Sequence, residues 1–149
     1  MKKYSFFIFS LLFVSISVFL LFKQEQQALV SIILKGEKKD ISYLVEIADT
    51  SEKAQLGLMW RKSMPQNQGM LFVFPYPSII RMWMKNTYIP LDMIFFNAQN
   101  QVICLRENAI PLDDKNIISC PYPTKMVLEL NAGEIKSQNI QLGDKILLK

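Results

Sequence analysis

The densest group of side chains that could bind a ligand lies in one heptapeptide, IRMWMKN, near the middle of the chain. If this segment is a strand, alternation places Arg81, Trp83 and Lys85 on one face. An indole can stack on a ring or sugar face, and two cations can hold a carboxylate or phosphate. The pattern predicts a small-ligand platform. The alternative is structural: Trp83 packs at the mouth of the core and Lys85 pairs with Asp92 or Glu129.

Polar residues at the ends of predicted elements complete the candidate site. Asp92 begins a strand after a Pro-Leu pair, where an aspartate commonly accepts backbone N–H bonds, although it could also be a site acid. Arg61 follows a predicted helix, where a cation is favourable, and could also form a wall of the pocket. The full candidate pocket comprises Arg61, Arg81, Trp83, Lys85, Asn86, Asp92, Glu107, Asn108 and Glu129.

Composition limits the chemistry that such a site could perform. The 149-residue chain has no histidine, two cysteines and a net charge of +4. A Ser-His-Asp or Cys-His site is therefore excluded, and an enzyme would be a hydrolase or transferase using Asp, Glu or Lys. The weak positive charge is not clustered, so we expect no nucleic-acid partner. No metal site or cofactor is expected, because two cysteines without histidine make a weak ligand set.

The first 27 residues predict an export segment and a polar stop. Lys2 and Lys3 precede an apolar run over residues 4–22. As a helix this run spans about 28 Å, close to the roughly 30 Å of a bilayer core. The positive-inside rule predicts a single-pass inner-membrane anchor with a cytoplasmic N-terminus and a periplasmic or extracellular domain. Bulky residues end the run, so an uncleaved anchor is favoured over a cleaved signal, which would leave a secreted or periplasmic protein.

Residues 28–149 predict one all-β domain with one or two short helices, in addition to the N-terminal hydrophobic helix. Short strands separated by Pro and Gly turns are typical of a compact β-barrel or a jelly-roll-like sandwich. Two hairpins are predicted, over 28–48 and 93–108. Further strands are expected at 70–74, 79–86, 125–130 and 145–148, and helices at 50–60 and 134–138.

The two cysteines, Cys104 and Cys120, could form a disulfide in an exported domain. The alternative is one buried and one exposed thiol. The predicted strand around Cys104 and the long Pro-containing loop around Cys120 leave both possibilities open.

A series of segments in the same domain resembles the DUF192 family, a widespread group of small, often exported proteins. The segments are GLMWR, GMLFVFP, MWMKNT, IPLDM, ENAIP and LELNAG, followed by GD near the C-terminus. The resemblance covers about residues 45–147 and implies a compact β-barrel or jelly-roll-like sandwich with one flanking helix and no assigned reaction. Relatives often carry a cysteine pair after the ENAIP-like segment, whereas this chain reads PLDD there and retains only Cys120.

These observations predict a membrane-anchored extracytoplasmic module of the cell envelope. We expect it to bind a small anionic or glycan-like ligand or to assist a partner. The alternatives are a histidine-free enzyme and a structural partner in an envelope complex.

Overall fold

A computed structural model describes residues 28–149 of the chain. The predicted export segment, its hydrophobic helix and the polar stop lie outside the described residues. Within residues 28–149, no helix has the length and apolar character needed to cross a bilayer.

The described chain contains nine strands and two short helices. In chain order they are β1 (Val30–Lys35), β2 (Asp40–Ala48), α1 (Ser51–Leu56), β3 (Gln68–Ser78), β4 (Arg81–Met82), β5 (Leu91–Phe96), β6 (Val102–Ala109), β7 (Ile118–Ser119), β8 (Thr124–Asn131), α2 (Glu134–Gln138) and β9 (Lys145–Leu148). Seven strands form one sheet in the order β6-β5-β8-β3-β2-β1-β9, and β4 pairs with β7 in a separate ribbon. The β2–β3 pair is parallel, and the other ladders are antiparallel.

The large sheet curls until its two edge strands touch at one end. Gln101, just before β6, forms a bridge with Lys145 of β9. The amide of Val102 also donates to the carbonyl of Asp144 at 2.8 Å. The structure confirms the mostly β class with two short helices. The sheet itself is a curled half-barrel, a less closed form than the predicted barrel or jelly-roll-like sandwich.

Apolar side chains cover both faces of the sheet and form two cores. The inner core takes residues from all seven strands, among them Ile32, Val45 and Leu128, and from α2. The outer core packs on the other face of β3, β5 and β8, beneath the segment after α1 and the β4–β7 ribbon. Strands buried on both faces read as continuous apolar runs, which explains residues 93–96 of β5.

The predicted hairpins are confirmed, because β1 pairs with β2 and β5 pairs with β6 in antiparallel register. The predicted helix over 50–60 is wrong in length, since α1 ends at Leu56. Gly57 follows with a φ of +49°, and its amide donates to the carbonyl of Lys53, which closes the helix. The longer helix, on which Leu56, Met59 and Trp60 would form an apolar stripe, therefore does not form, and Trp60 is 57% exposed.

The predicted strand over 79–86 is also shorter than expected. Its ladder covers only Arg81 and Met82, because its partner β7 has two residues. The expected alternation of faces nevertheless continues beyond the ladder. Met82 and Met84 are buried, whereas Arg81, Trp83 and Lys85 are exposed.

Cys104 and Cys120 form a disulfide, with their Cα atoms 5.9 Å apart. The bond joins β6 to the residue that follows β7. It thereby fastens the β4–β7 ribbon to the large sheet, above the outer core.

Candidate functional site

A cavity of about 210 Å³ opens into the outer core. Its walls are largely apolar and include Met59 after α1 and Phe72 and Phe74 of β3. The charged residues among its lining are Arg81 and Glu129. A cavity of this size with few polar groups is suited to a small, mostly apolar ligand.

Trp83 lies at the exposed side of this cavity. Its side chain lines the cavity and is 46% exposed. The Nζ atom of Lys85 lies 5.6 Å from the centroid of the Trp83 ring, within the range of a cation–π interaction. Residues 81–85, which comprise β4 and the three residues after it, therefore place an indole and a guanidinium at the cavity and an ammonium group against the indole.

Glu129 lies at the buried side of the same cavity. It occupies β8 between Met70 of β3 and Met93 of β5, its direct neighbours in the sheet. The residue is 4% exposed, and no group within residues 28–149 donates a hydrogen bond to its carboxyl. Burial raises the pKa of Glu129 to about 8. At neutral pH the cavity therefore contains a largely protonated carboxylic acid.

Asp92 faces the opposite side of the sheet. Because Met93 pairs with Glu129, the preceding residue points into the inner core. Its carboxyl accepts the amide of Asn108 at 2.9 Å and the amide of Ile135 at 2.8 Å. The first amide belongs to a bulge in β6, where Asn108 has a φ of +55°. Asp92 thus ties β5 to β6 and to α2.

Other predicted site residues lie elsewhere or support the cavity indirectly. Arg61 forms a bidentate ion pair with Glu46 of β2, with N–O distances of 2.5 and 2.6 Å. Glu107 and Asn108 are exposed at the β6 bulge. Asn86 accepts the amide of Trp60 through its backbone carbonyl at 2.8 Å, which holds the turn beside the cavity wall.

The structure therefore brings together three of the nine predicted site residues, Arg81, Trp83 and Glu129, with Lys85 against the indole. It also adds Thr87, which lines the cavity and which the sequence reading missed. The sequence does contain a signal for the apolar wall, because Phe72 and Phe74 are two residues apart in a strand and so share a face. Which face of the sheet they share is set by the β3–β8 register.

Within residues 28–149, no three His, Cys, Asp or Glu side chains could jointly hold a metal ion.

Residues 32–148 match the model of the DUF192 family, described as an uncharacterized ACR. A protein of unknown function from Novosphingobium aromaticivorans DSM 12444 has a similar structure, with a TM-score of 0.79 and 32% identity over 84% of this chain and 89% of that chain. A protein from Sinorhizobium meliloti 1021, provisionally described as a transcription regulator, gives a TM-score of 0.78 and 36% identity over 82% and 95% of the two chains. No curated protein matches the chain.

We predict that Asp92→Ala destabilises the domain by about 3 kcal/mol, because the buried amide of Ile135 and the partly buried amide of Asn108 lose their acceptor. Denaturant unfolding followed by circular dichroism would measure the change. Asp113→Ala is the matched control: Asp113 also accepts two backbone amides, but these hydrogen bonds lie at the exposed surface, so water can replace its carboxyl group. Equal costs for the two variants would show that burial of the Asp92 contacts is unimportant.

We predict that the stability of the domain falls relative to Glu129→Gln as the pH rises from about 4.5 to about 8. The folded protein holds the Glu129 proton more tightly than the unfolded chain does, so its contribution is complete below the ordinary pKa of 4.5. That contribution is lost as the pH passes through the folded pKa, at a slope of at most about 1.4 kcal/mol per pH unit. Parallel stability profiles of the two proteins in urea would contradict the burial of an unpaired carboxyl.

Proposed function

The chain belongs to the DUF192 family, and we propose that it is a small-ligand-binding module held at the outer side of the inner membrane by its N-terminal segment. The observation that carries the binding function is the cavity with Trp83 at its mouth. An apolar cavity of about 150 Å³ can hold a benzene molecule. The 210 Å³ found here therefore suits one ring or one branched aliphatic group together with a polar substituent.

The charges at the mouth support an anionic group on the ligand. Arg81 lines the cavity, and Lys85 lies over the Trp83 ring. Neither cation forms an ion pair with an acidic side chain in the described part of the chain. Both can therefore contribute charge-assisted hydrogen bonds to a carboxylate or phosphate while the indole contacts an apolar or glycan face.

The geometry favours binding over catalysis. Hydrolysis by paired carboxyl groups needs two acids facing one substrate. Asp92 and Glu129 project from opposite faces of the sheet, and Glu129 is the acidic residue among the cavity lining. The lysines and arginines of this chain form no long basic run in the sequence, which argues against the nucleic-acid binding that the description of the Sinorhizobium protein suggests.

Two features support the proposed location outside the cytoplasm. Residues 4–22 are predominantly apolar, interrupted by four serines, and follow two lysines, as in an uncleaved signal anchor. The Cys104–Cys120 disulfide is a bond that persists in oxidising compartments and is rare in the cytosol. A secreted or periplasmic domain released by cleavage is the alternative form of this proposal.

We expect Trp83→Ala to lower the affinity for the native ligand at least tenfold while the fold is retained, because the side chain contacts solvent and the cavity. Native mass spectrometry of the full-length chain, purified in mild detergent, would compare the bound small molecules of the wild type and the variant. Trp60→Ala is the matched control, since Trp60 is similarly exposed but does not line the cavity.

Undiminished ligand on Trp83→Ala, or equal loss in both tryptophan variants, would contradict the proposed site. Circular dichroism would establish whether each variant is folded. If Trp83→Ala unfolds, ligand binding is measured on Trp83→Phe instead, because a phenyl ring preserves packing but reduces the stacking surface.

We also expect alkaline phosphatase fused after Lys149 to be active and to sediment with membranes. This enzyme needs an oxidising compartment, so activity reports export. Deletion of residues 4–22 should abolish phosphatase activity, although the fusion protein is still produced, as measured by immunoblot. An inactive full-length fusion would overturn the proposed location, and activity in the soluble periplasmic fraction would favour a cleaved signal over an anchor.

A further inference from the structure

The buried and exposed ends of the cavity differ in chemistry. Arg81 and Trp83 are exposed, whereas Glu129 and Thr87 are 4% and 5% exposed. The hydroxyl of Thr87 donates to the carbonyl of Lys85 at 3.3 Å, which leaves its oxygen free to accept. The buried end therefore offers oxygen acceptors, and the exposed end offers a guanidinium donor.

Within residues 28–149, Glu129 has no hydrogen-bond or ion-pair partner of the kind that a buried carboxyl group normally has. A buried polar group without a hydrogen bond is costly, and an ionised one needs an opposite charge nearby. Its neighbours on the adjoining strands are Met70 and Met93. The other charged lining residue, Arg81, extends from the ribbon at the exposed end. The described chain thus leaves the site at Glu129 open for a group supplied by a ligand.

We infer that the ligand carries a basic nitrogen that pairs with Glu129 and an anionic group that pairs with Arg81. The cavity would accordingly bind a small amphoteric molecule with an apolar body, such as an aliphatic or aromatic amino acid. This inference rests on the proposed binding function and specifies its ligand class. At neutral pH an ammonium ligand brings its own proton, so the proton of Glu129 leaves to solvent when the ion pair forms.

Three matched probes separate the contributions of the two ends of the cavity. Leucine carries both groups, isopentylamine lacks the carboxylate, and 4-methylpentanoate lacks the amine. Titration calorimetry on the full-length chain should give the tightest binding for leucine. Glu129→Gln should weaken leucine and isopentylamine at least tenfold and leave 4-methylpentanoate within about twofold. Arg81→Ala should weaken the two carboxylates and spare isopentylamine.

The pH dependence tests the same pairing without a variant. Because burial raises the pKa of Glu129 to about 8, isopentylamine can pair with the carboxylate only after that proton is lost. The affinity of the wild type for isopentylamine should fall about tenfold per pH unit as the pH decreases from 7 to 5. Arg81 is the other charged residue among the cavity lining.

The outcomes distinguish this inference from the proposed function. If 4-methylpentanoate binds as tightly as leucine and Glu129→Gln alters neither, the amine pairing is wrong but a ligand-binding module remains. If neither amine binds at millimolar concentration, or if binding of isopentylamine to the wild type is independent of pH, the inference is also overturned. The tryptophan variants and native mass spectrometry then decide the proposed function separately.

Discussion

Strand β5 is buried at all six positions, so the curled sheet must be covered on both faces at its centre. The inner face is covered by the curling of the sheet itself and by α2. The outer face cannot be covered in this way and depends on the segment after α1 and on the short β4–β7 ribbon. The disulfide fastens that ribbon to β6. The cover leaves an opening of about 210 Å³, and the candidate site is this opening.

Two buried carboxyl groups on adjacent central strands serve different purposes because their surroundings differ. Asp92 accepts two backbone amides, one from a bulge and one from the first turn of α2, and so behaves as a structural anchor. Glu129 accepts none from the described chain, lines a cavity and has a raised pKa. A satisfied buried acid indicates a role in the fold, whereas an unsatisfied one beside a cavity indicates a ligand.

Several elements could be predicted because their signals are local. The β1–β2 and β5–β6 hairpins follow from alternation around polar turns, and α2 follows from the residues after Gly133. The platform of Arg81, Trp83 and Lys85 was likewise visible, because alternation is preserved even where the ladder stops. The length of α1 was missed, since the apolar residues at 56, 59 and 60 suggested a stripe that the positive φ of Gly57 interrupts. Local periodicity does not reveal such an interruption.

The sequence by itself determined the class of the domain, its family resemblance and the cluster of cations around Trp83, because composition, motif order and alternation are properties of neighbouring residues. Only the tertiary structure decided which acid faces the cavity. Asp92 and Glu129 are 37 positions apart, and their faces depend on the β5–β8 register, in which Met93 pairs with Glu129. A shift of one residue would exchange the faces of a strand. Long-range pairing sets that register. The ion pair of Arg61 with Glu46 is likewise a tertiary contact, and Arg61 does not line the cavity.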